Sequence, residues 1–219
     1  MSEPESVPRT VFIVDDHPIV RDGLRQLINA EDDLEVSADA ATVESAVEIL
    51  DAGLPDVVIA DLSLPDSDGF ELLKLIRNRS MKLPVLVLSM YDENMYAERM
   101  LNAGANGYIM KQAAADQLLI ALRRVLAGGV YVSERLGARK DEAVLEDDGE
   151  QAINPVKRLS NREVQVLNLI GSGKTSREVA ENLNLSVKTV ESHRQRIKKK
   201  LELDTPAELV QFAARWYAQ

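Results

Sequence analysis

The chain has 219 residues, long for one hydrophobic core and comfortable for two, since single cores usually occupy about 100 to 200 residues. It has no cysteine, which excludes a disulfide framework and thiol chemistry and fits a reducing compartment. The net charge of −10 is unevenly spread: residues 1–150 carry 14 Lys and Arg against 29 Asp and Glu, whereas residues 151–219 carry 12 against 7, so the acidic part is not expected to lie along DNA and the basic part is a candidate nucleic-acid binder.

Taken in chain order, residues 1–9 are polar and carry Glu3 and Glu5 where a signal peptide needs a basic start, so they read as a flexible N-terminus. No apolar run approaches the roughly 18 residues that cross a bilayer, and a cytoplasmic protein with no membrane partner is expected. Over residues 10–128, five strand-like runs alternate with five helix-like segments, the pattern of an α/β doubly wound parallel sheet. Val11-Phe12-Ile13-Val14 runs into Asp15-Asp16, Val57-Val58-Ile59-Ala60 into Asp61, Val85-Leu86-Val87-Leu88 into Ser89, and Gly107-Tyr108-Ile109-Met110 into Lys111. Apolar stripes mark the helices: Ile19, Val20, Gly23, Leu24, Leu27 and Ile28 in the first, and Leu118, Leu122, Val125 and Leu126 in the fifth.

Residues 129–155 change character, with Asp141, Glu142, Glu146, Asp147, Asp148 and Glu150 and few apolar anchors, and read as a solvated acidic linker whose Val130, Tyr131 and Val132 can still pack onto the first domain. Residues 156–219 are helical throughout, with segments predicted at 161–170, 176–183, 187–203 and 206–218. Ser160 followed by Glu163 forms a capping-box signature.

The reading places five polar groups on five successive strand ends, at the carboxyl edge where open α/β sheets bind ligands. Phosphoryl transfer needs a nucleophile in line with phosphorus and positive charge on the equatorial oxygens. Asp61 can be the nucleophile, Asp15 and Asp16 can hold Mg²⁺, Lys111 supplies a point charge and Ser89 a hydroxyl donor. Residues 10–128 resemble the receiver domain of two-component response regulators: the acidic pair falls on Asp15-Asp16, the phospho-acceptor on Asp61, the hydroxyl residue on Ser89 and the lysine on Lys111. The resemblance implies that the carbonyl of Ser63 completes the metal site with Asp15, Asp16 and Asp61, and that Tyr108 is the aromatic whose rotamer reports the state of Ser89. Leu64 and Ser67 depart from the family's usual methionine and apolar residue in the acceptor loop.

In the basic part, residues 187–203 read as one helix place Val190, Ile197 and Leu201 on a docking stripe, with Lys188, Glu191, Ser192, Gln195, Lys198 and Lys199 on or beside the opposite face. With the short segment Ser176 to Leu183 and the turn Asn184-Leu185-Ser186 before it, the spacing is that of a helix-turn-helix. The sequence resembles the LuxR-type helix-turn-helix of NarL/FixJ response regulators in Leu159-Ser160-Asn161-Arg162-Glu163, in Gly173 to Ala180 and in Thr189-Val190-Glu191-Ser192-His193. That resemblance puts Glu191, Ser192 and Gln195 at base edges and makes Lys174, Thr175, Lys188, Thr189, His193, Arg194, Lys198 and Lys199 mostly phosphate contacts. Glu191 stands where many relatives carry lysine. Gly171-Ser172-Gly173-Lys174-Thr175 imitates a phosphate-binding loop, but Asn168 occupies the position of its first glycine and the run follows a helix. With only two histidines in the chain, His17 does not indicate a zinc site.

The expectation is a DNA-binding transcription regulator controlled by phosphorylation of Asp61 by a sensor histidine kinase, a homodimer when phosphorylated or DNA-bound, with Mg²⁺ as cofactor and no enzymatic turnover beyond its own phosphoryl group. Val210, Phe212, Ala213 and Trp216 lie near the apolar side of the last helix, a candidate DNA-bound dimer contact whose alternative is packing within its own domain. The alternative keeps DNA binding and uses the receiver as a phosphorylation-independent dimer module. An aspartyl phosphatase fits less well, because that class wants Asp-x-Asp after its first strand and this chain has Asp15-Asp16-His17.

Overall fold

The structure, a computed structural model, describes residues 7–64, 69–133 and 155–217. Ser67, the acidic residues 141–150 and the first residues of the N-terminus lie outside the described residues. The chain divides into two compact units, Met1–Asp147 and Asp148–Gln219. Among the described residues, no helix is long and apolar enough to cross a membrane.

In the first unit, strands β1 (Arg9–Val14), β2 (Leu34–Ala40), β3 (Val57–Asp61), β4 (Val85–Ser89) and β5 (Gly107–Met110) alternate with helices α1 (Pro18–Ile28), α2 (Val43–Ala52), α3 (Gly69–Arg79), α4 (Glu93–Asn102) and α5 (Ala115–Leu126). The sheet is parallel throughout, in the order β2-β1-β3-β4-β5. Every residue of β3 and β4 is buried, as expected of strands covered on both faces. Val11, Ile13, Val57, Ile59, Leu86 and Leu88 pack with Leu24 and Ile28 of α1 and Leu118, Leu122 and Val125 of α5. Their alternating neighbours, Phe12, Val14, Val58 and Val87, point to the opposite face and are equally buried.

The expected α1 stripe needs correction at Ile19 and Gly23, both of which are exposed. Ile19 is 87% exposed and off the α1 stripe; at 100° per residue it lies about 140° around the helix from Leu24. As expected, Tyr131 packs onto the first unit: it pairs with Gly107, donating its amide to Asn106 O at 2.9 Å and accepting from the Tyr108 amide at 3.0 Å. Gly107 permits this approach, since a Cβ there would meet Leu86 Cδ1 at 2.9 Å and Tyr131 O at 3.0 Å.

The second unit begins with a 3-10 turn (Pro155–Arg158), followed by α6 (Asn161–Gly171), α7 (Ser176–Asn182), α8 (Val187–Lys200) and α9 (Pro206–Tyr217). Ser160 with Glu163 and Thr175 with Glu178 form capping boxes, and Ser186 caps α8 through the Thr189 amide. Three successive helices end alike, each on a left-handed residue that lets the next amide reach back. Gly173, Asn184 and Glu202 have φ of 87°, 50° and 58°, and the amides of Lys174, Leu185 and Leu203 donate to Leu169 O, Ala180 O and Lys198 O. This explains why α8 stops at Lys200, short of the predicted Leu203. It also shows what the Gly-Ser-Gly-Lys-Thr run does: Gly173 closes α6 and Thr175 opens α7.

Buried Glu163 joins α6 to α8. Burial alone would raise its carboxyl, but Lys200 Nζ at 2.7 Å and the Ser160 amide at 2.7 Å hold it below the ordinary range. Helix α6 meets α9 closely at Gly171, where a Cβ would lie 2.5 Å from Ala213 O and 2.7 Å from Tyr217 Cβ. Gly171→Ala should therefore destabilise this unit by about 1–3 kcal/mol. Gly23→Ala, at a helical site where a Cβ would meet nothing within 4 Å, should stabilise the first unit by about 0.5–1 kcal/mol. Thermal and urea unfolding of the two variants against the parent checks the opposite signs.

Candidate functional site

Strand β1 lies between β2 and β3, so the chain leaves it towards one side of the sheet and returns on the other, and the crevice of an open α/β sheet forms at this reversal. Asp15 follows β1 and Asp61 ends β3, the neighbouring strand, so the pairing itself brings the two carboxyl groups together. Both are nearly inaccessible, at 1% and 2% exposure. Lys111, immediately beyond β5, reaches across so that Nζ lies 2.6 Å from Asp15 Oδ2 and 3.0 Å from Asp61 Oδ2. The Ser63 amide donates to Asp61 Oδ1 at 3.1 Å, and the His17 amide donates to Asp15 Oδ1 at 2.9 Å. The groups come from β1, β3, β4 and β5; β2, at the sheet edge, contributes none, which corrects the count of five successive strand ends to four strands.

Sequence reasoning missed Arg21. Its guanidinium donates to the carbonyl of Asp15 at 2.7 Å and to Asp39 Oδ2 at 2.9 Å, fixing the peptide that carries the pocket's first acid. At Gly69 a Cβ would fall 2.4 Å from the carbonyl oxygen of Asp61, so the start of α3 presses directly on the Asp61 backbone.

Ser89 is fully buried at the end of β4, and Tyr108 of β5 is fully buried as well. Both hold one peptide unit: Ser89 Oγ accepts from the Tyr91 amide at 3.1 Å, and the Tyr108 hydroxyl donates to the Tyr91 carbonyl at 2.9 Å. Burial pushes the Tyr108 phenol well above its usual range, against the opposing hydrogen bond from Ser89. The Tyr108 ring is thus interior in this structure. The Ser89 hydroxyl accepts from the Tyr91 amide and its own proton faces the Tyr108 oxygen, so donating to a ligand would mean giving up that contact.

The pocket fits a hard divalent cation. Asp15, Asp16, His17 and Asp61 each offer a ligand atom, all within 4.8 Å of one another. Asp15 Oδ2 and Asp16 Oδ1 are buried. Their near neighbours are positive or protonatable, Lys111 Nζ for the first and His17 Nδ1 at 2.6 Å for the second. Carboxylate oxygens are the donors Mg²⁺ prefers.

On the second unit, Val190 and Ile197 are buried and Leu201 is half-buried, while Lys188, Glu191, Ser192, Gln195 and Lys199 are exposed on α8. Lys174, Thr189 and Lys198 are half-buried, and exposed Thr175 is spent as the α7 cap. Two predicted phosphate contacts turn inward: His193 has a buried Nδ1 without a hydrogen-bond partner, and Arg194 keeps only 16% of its side chain exposed. Ser176 Oγ donates to Glu191 Oε1 at 2.5 Å, Arg194 Nη1 donates to Ser176 Oγ at 3.3 Å, and Arg194 Nε lies 3.7 Å from Glu191 Oε1. In α9, Leu209 and Ala213 are buried, Phe212 and Trp216 half-buried, and Val210 is left 45% exposed.

Burial, with Asp15 pushing the same way and Lys111 opposing, raises the Asp61 carboxyl from 3.8 to about 6. An acid raised on folding adds stability below its unfolded pKa and loses that contribution as pH rises through its folded value. Asp61→Asn stays neutral, so in metal-free buffer its gain over the parent should be absent below about pH 4, grow between pH 4 and about 6, and level off on the order of 3 kcal/mol above it. Urea unfolding between these pH values measures it.

Residues 11–123 match the response regulator receiver domain, and residues 157–213 match the bacterial regulatory proteins of the luxR family. The chain is 37% identical over 209 residues to the oxygen regulatory protein NreC of Staphylococcus aureus (strain JH9), covering 94% of this chain and 96% of that protein. It is similar to the structure of RcsB from Salmonella enterica serovar Typhimurium bound to promoter P1flhDC in the presence of the phosphomimetic BeF3-, with TM-score 0.64, 29% identity and coverage of 95% and 100%. It is also similar to the response regulator ChrA of a heme-sensing two component system, with TM-score 0.51, 30% identity and coverage of 95% and 97%. The chain belongs to the DNA-binding response regulators that join a receiver domain to a LuxR-type helix-turn-helix.

Proposed function

We propose that Asp61 accepts a phosphoryl group from a sensor histidine kinase and that this modification governs DNA binding by the second unit. The observation that carries the reading is the buried Asp61 carboxyl with Lys111 Nζ 3.0 Å from one oxygen and Asp15 beyond it. A carboxylate oxygen of Asp61 forms the new O–P bond as the bond from phosphorus to the donor's imidazole nitrogen breaks, leaving the kinase histidine neutral. Lys111 then exchanges its contact with Asp61 for a phosphoryl oxygen, and the Ser89 hydroxyl donates to another. Asp15, Asp16, Asp61 and the Ser63 carbonyl would hold Mg²⁺, which when bound would supply charge to offset the crowded oxygens. The chemistry stays confined to the protein's own phosphoryl group.

In this reading residues 10–128 are the receiver, 129–155 the linker and 156–219 the DNA-binding domain, behind a flexible 1–9, in a cytoplasmic protein. The RcsB complex with promoter DNA and the structure of two RcsB dimers on two parallel DNAs support double-stranded DNA as partner and a homodimer as the bound form. Lys174, Lys188, Thr189, Lys198 and Lys199 serve the phosphates, while Glu191, Ser192 and Gln195 face the bases; Thr175, His193 and Arg194 are held in contacts within the unit instead.

Incubation with acetyl phosphate and Mg²⁺ should add one phosphoryl mass to the parent and none to Asp61→Asn. The donor should tighten DNA binding by the parent at least about tenfold, with a steep salt slope. An unlabelled parent, together with Asp61→Asn binding DNA as the phosphoryl-treated parent does, would leave the receiver as a dimer module and sink the phosphorylation reading.

A further inference from the structure

We propose that Glu191 is the specificity residue of the DNA-binding unit, selecting cytosine through the N4 amino group in the major groove, and that Ser176 and Arg194 are the positioning residues that aim it. The inference rests on the DNA-binding reading above and adds the base that is read and the device that reads it.

A carboxylate on a recognition helix faces two penalties. It repels the phosphates that flank the groove, and as a flexible side chain it loses rotamer freedom when it binds. The structure relieves both. The guanidinium of Arg194 lies 3.7 Å from Glu191 Oε1 with only 16% of its side chain exposed, so a fixed positive charge sits behind the carboxylate instead of reaching for a phosphate. Ser176 Oγ donates to the same Oε1 at 2.5 Å and accepts from Arg194 Nη1 at 3.3 Å, which fixes one carboxylate oxygen from the first turn of α7. The Glu191 side chain remains 49% exposed.

Oε2 takes no part in the contacts with Ser176 and Arg194, and it is a pure acceptor. Of the four bases, only cytosine and adenine present an amino donor in the major groove. Adenine sets the N7 acceptor beside its amino group, where a carboxylate has nothing to donate, whereas cytosine has only its C5–H on that flank of N4, so the amino group is bordered by one acceptor, from the paired guanine, instead of two. The anchored carboxylate therefore distinguishes cytosine from adenine as well as from the two bases that lack the amino group. Around α8, Glu191 lies between the buried stripe of Val190 and Ile197 and the exposed row of Lys188, Ser192, Gln195 and Lys199, so the phosphate-seeking cations flank it on the groove side.

The test is selection of bound sequences from a randomised duplex pool by the full-length chain treated with acetyl phosphate and Mg²⁺. The parent should enrich cytosine at one position of each half-site. Glu191→Ala should lower that preference about tenfold and leave the other positions unchanged. Glu191→Gln, whose amide both donates and accepts, should move the same position towards adenine. Ser176→Ala should weaken the cytosine preference at that position at least about threefold with an unchanged melting temperature and salt slope, and Ser176→Thr, which keeps the hydroxyl, should restore it. An identical base profile for the parent, Glu191→Ala and Glu191→Gln would overturn the assignment, and a Ser176→Ala profile equal to the parent's would overturn the positioning role. A parent that retains no duplex even at low salt would defeat the DNA-binding reading itself, a result separate from either.

Discussion

The ammonium of Lys111, held between the buried carboxylates of Asp15 and Asp61, is the interaction on which the first unit depends. Two acids at the ends of adjacent strands repel one another, and desolvation adds to the cost. Lysine offsets the repulsion without removing the burial penalty, as the raised Asp61 carboxyl shows. The carboxylates also drive the Lys111 ammonium above its ordinary range against the burial that would lower it. Such a cluster is a poor choice for stability and a suitable one for binding, because a cation or phosphoryl group that enters takes over charges the fold has already gathered.

The second unit solves a different problem, that of turning short helices tightly without strain on their ends. The same closing geometry recurs after α6, α7 and α8, and side-chain caps open all three of these helices. With the ends satisfied, α7 and α8 need little buried area of their own, and α8 can devote most of its circumference to exposed polar and basic residues while burying only Val190 and Ile197 fully. The surplus of positive charge in residues 151–219 is thus concentrated on α8, whose packing demands are small.

How much of this was legible in the sequence depends on the range of the interaction. Strands were visible because four-residue apolar runs end abruptly in polar groups, and parallel pairing then forces those ends together; Asp15, Asp61 and Lys111 meet for that reason. Ile19 misled because an apolar residue near a stripe looks like part of it until the angle is followed through. Glu202 hid the end of α8, since a charged residue in the left-handed region carries none of glycine's signal. The contacts of Arg21 with Asp39 and of Ser176 with Glu191 join residues 18 and 15 positions apart through side chains alone, and no periodicity encodes them.

Tyr108 shows how a change in the pocket is tied to places outside it. Its hydroxyl holds the Tyr91 carbonyl, whose own amide is held by Ser89, and its backbone amide holds the Tyr131 carbonyl in the segment after α5. Ser133 in that segment in turn donates to Glu93 Oε1 in the first turn of α4. These bonds close a ring through the end of β4, the start of α4, β5 and the residues leading out of the receiver. Because the ring of Tyr108 is fully buried, it has one place to be while Ser89 holds Tyr91, and displacing it would leave the Tyr91 carbonyl without that donor. The β4–α4 turn and the exit of the first unit are therefore coupled by hydrogen bonds that share one tyrosine, with no need for a deformation of the sheet between them.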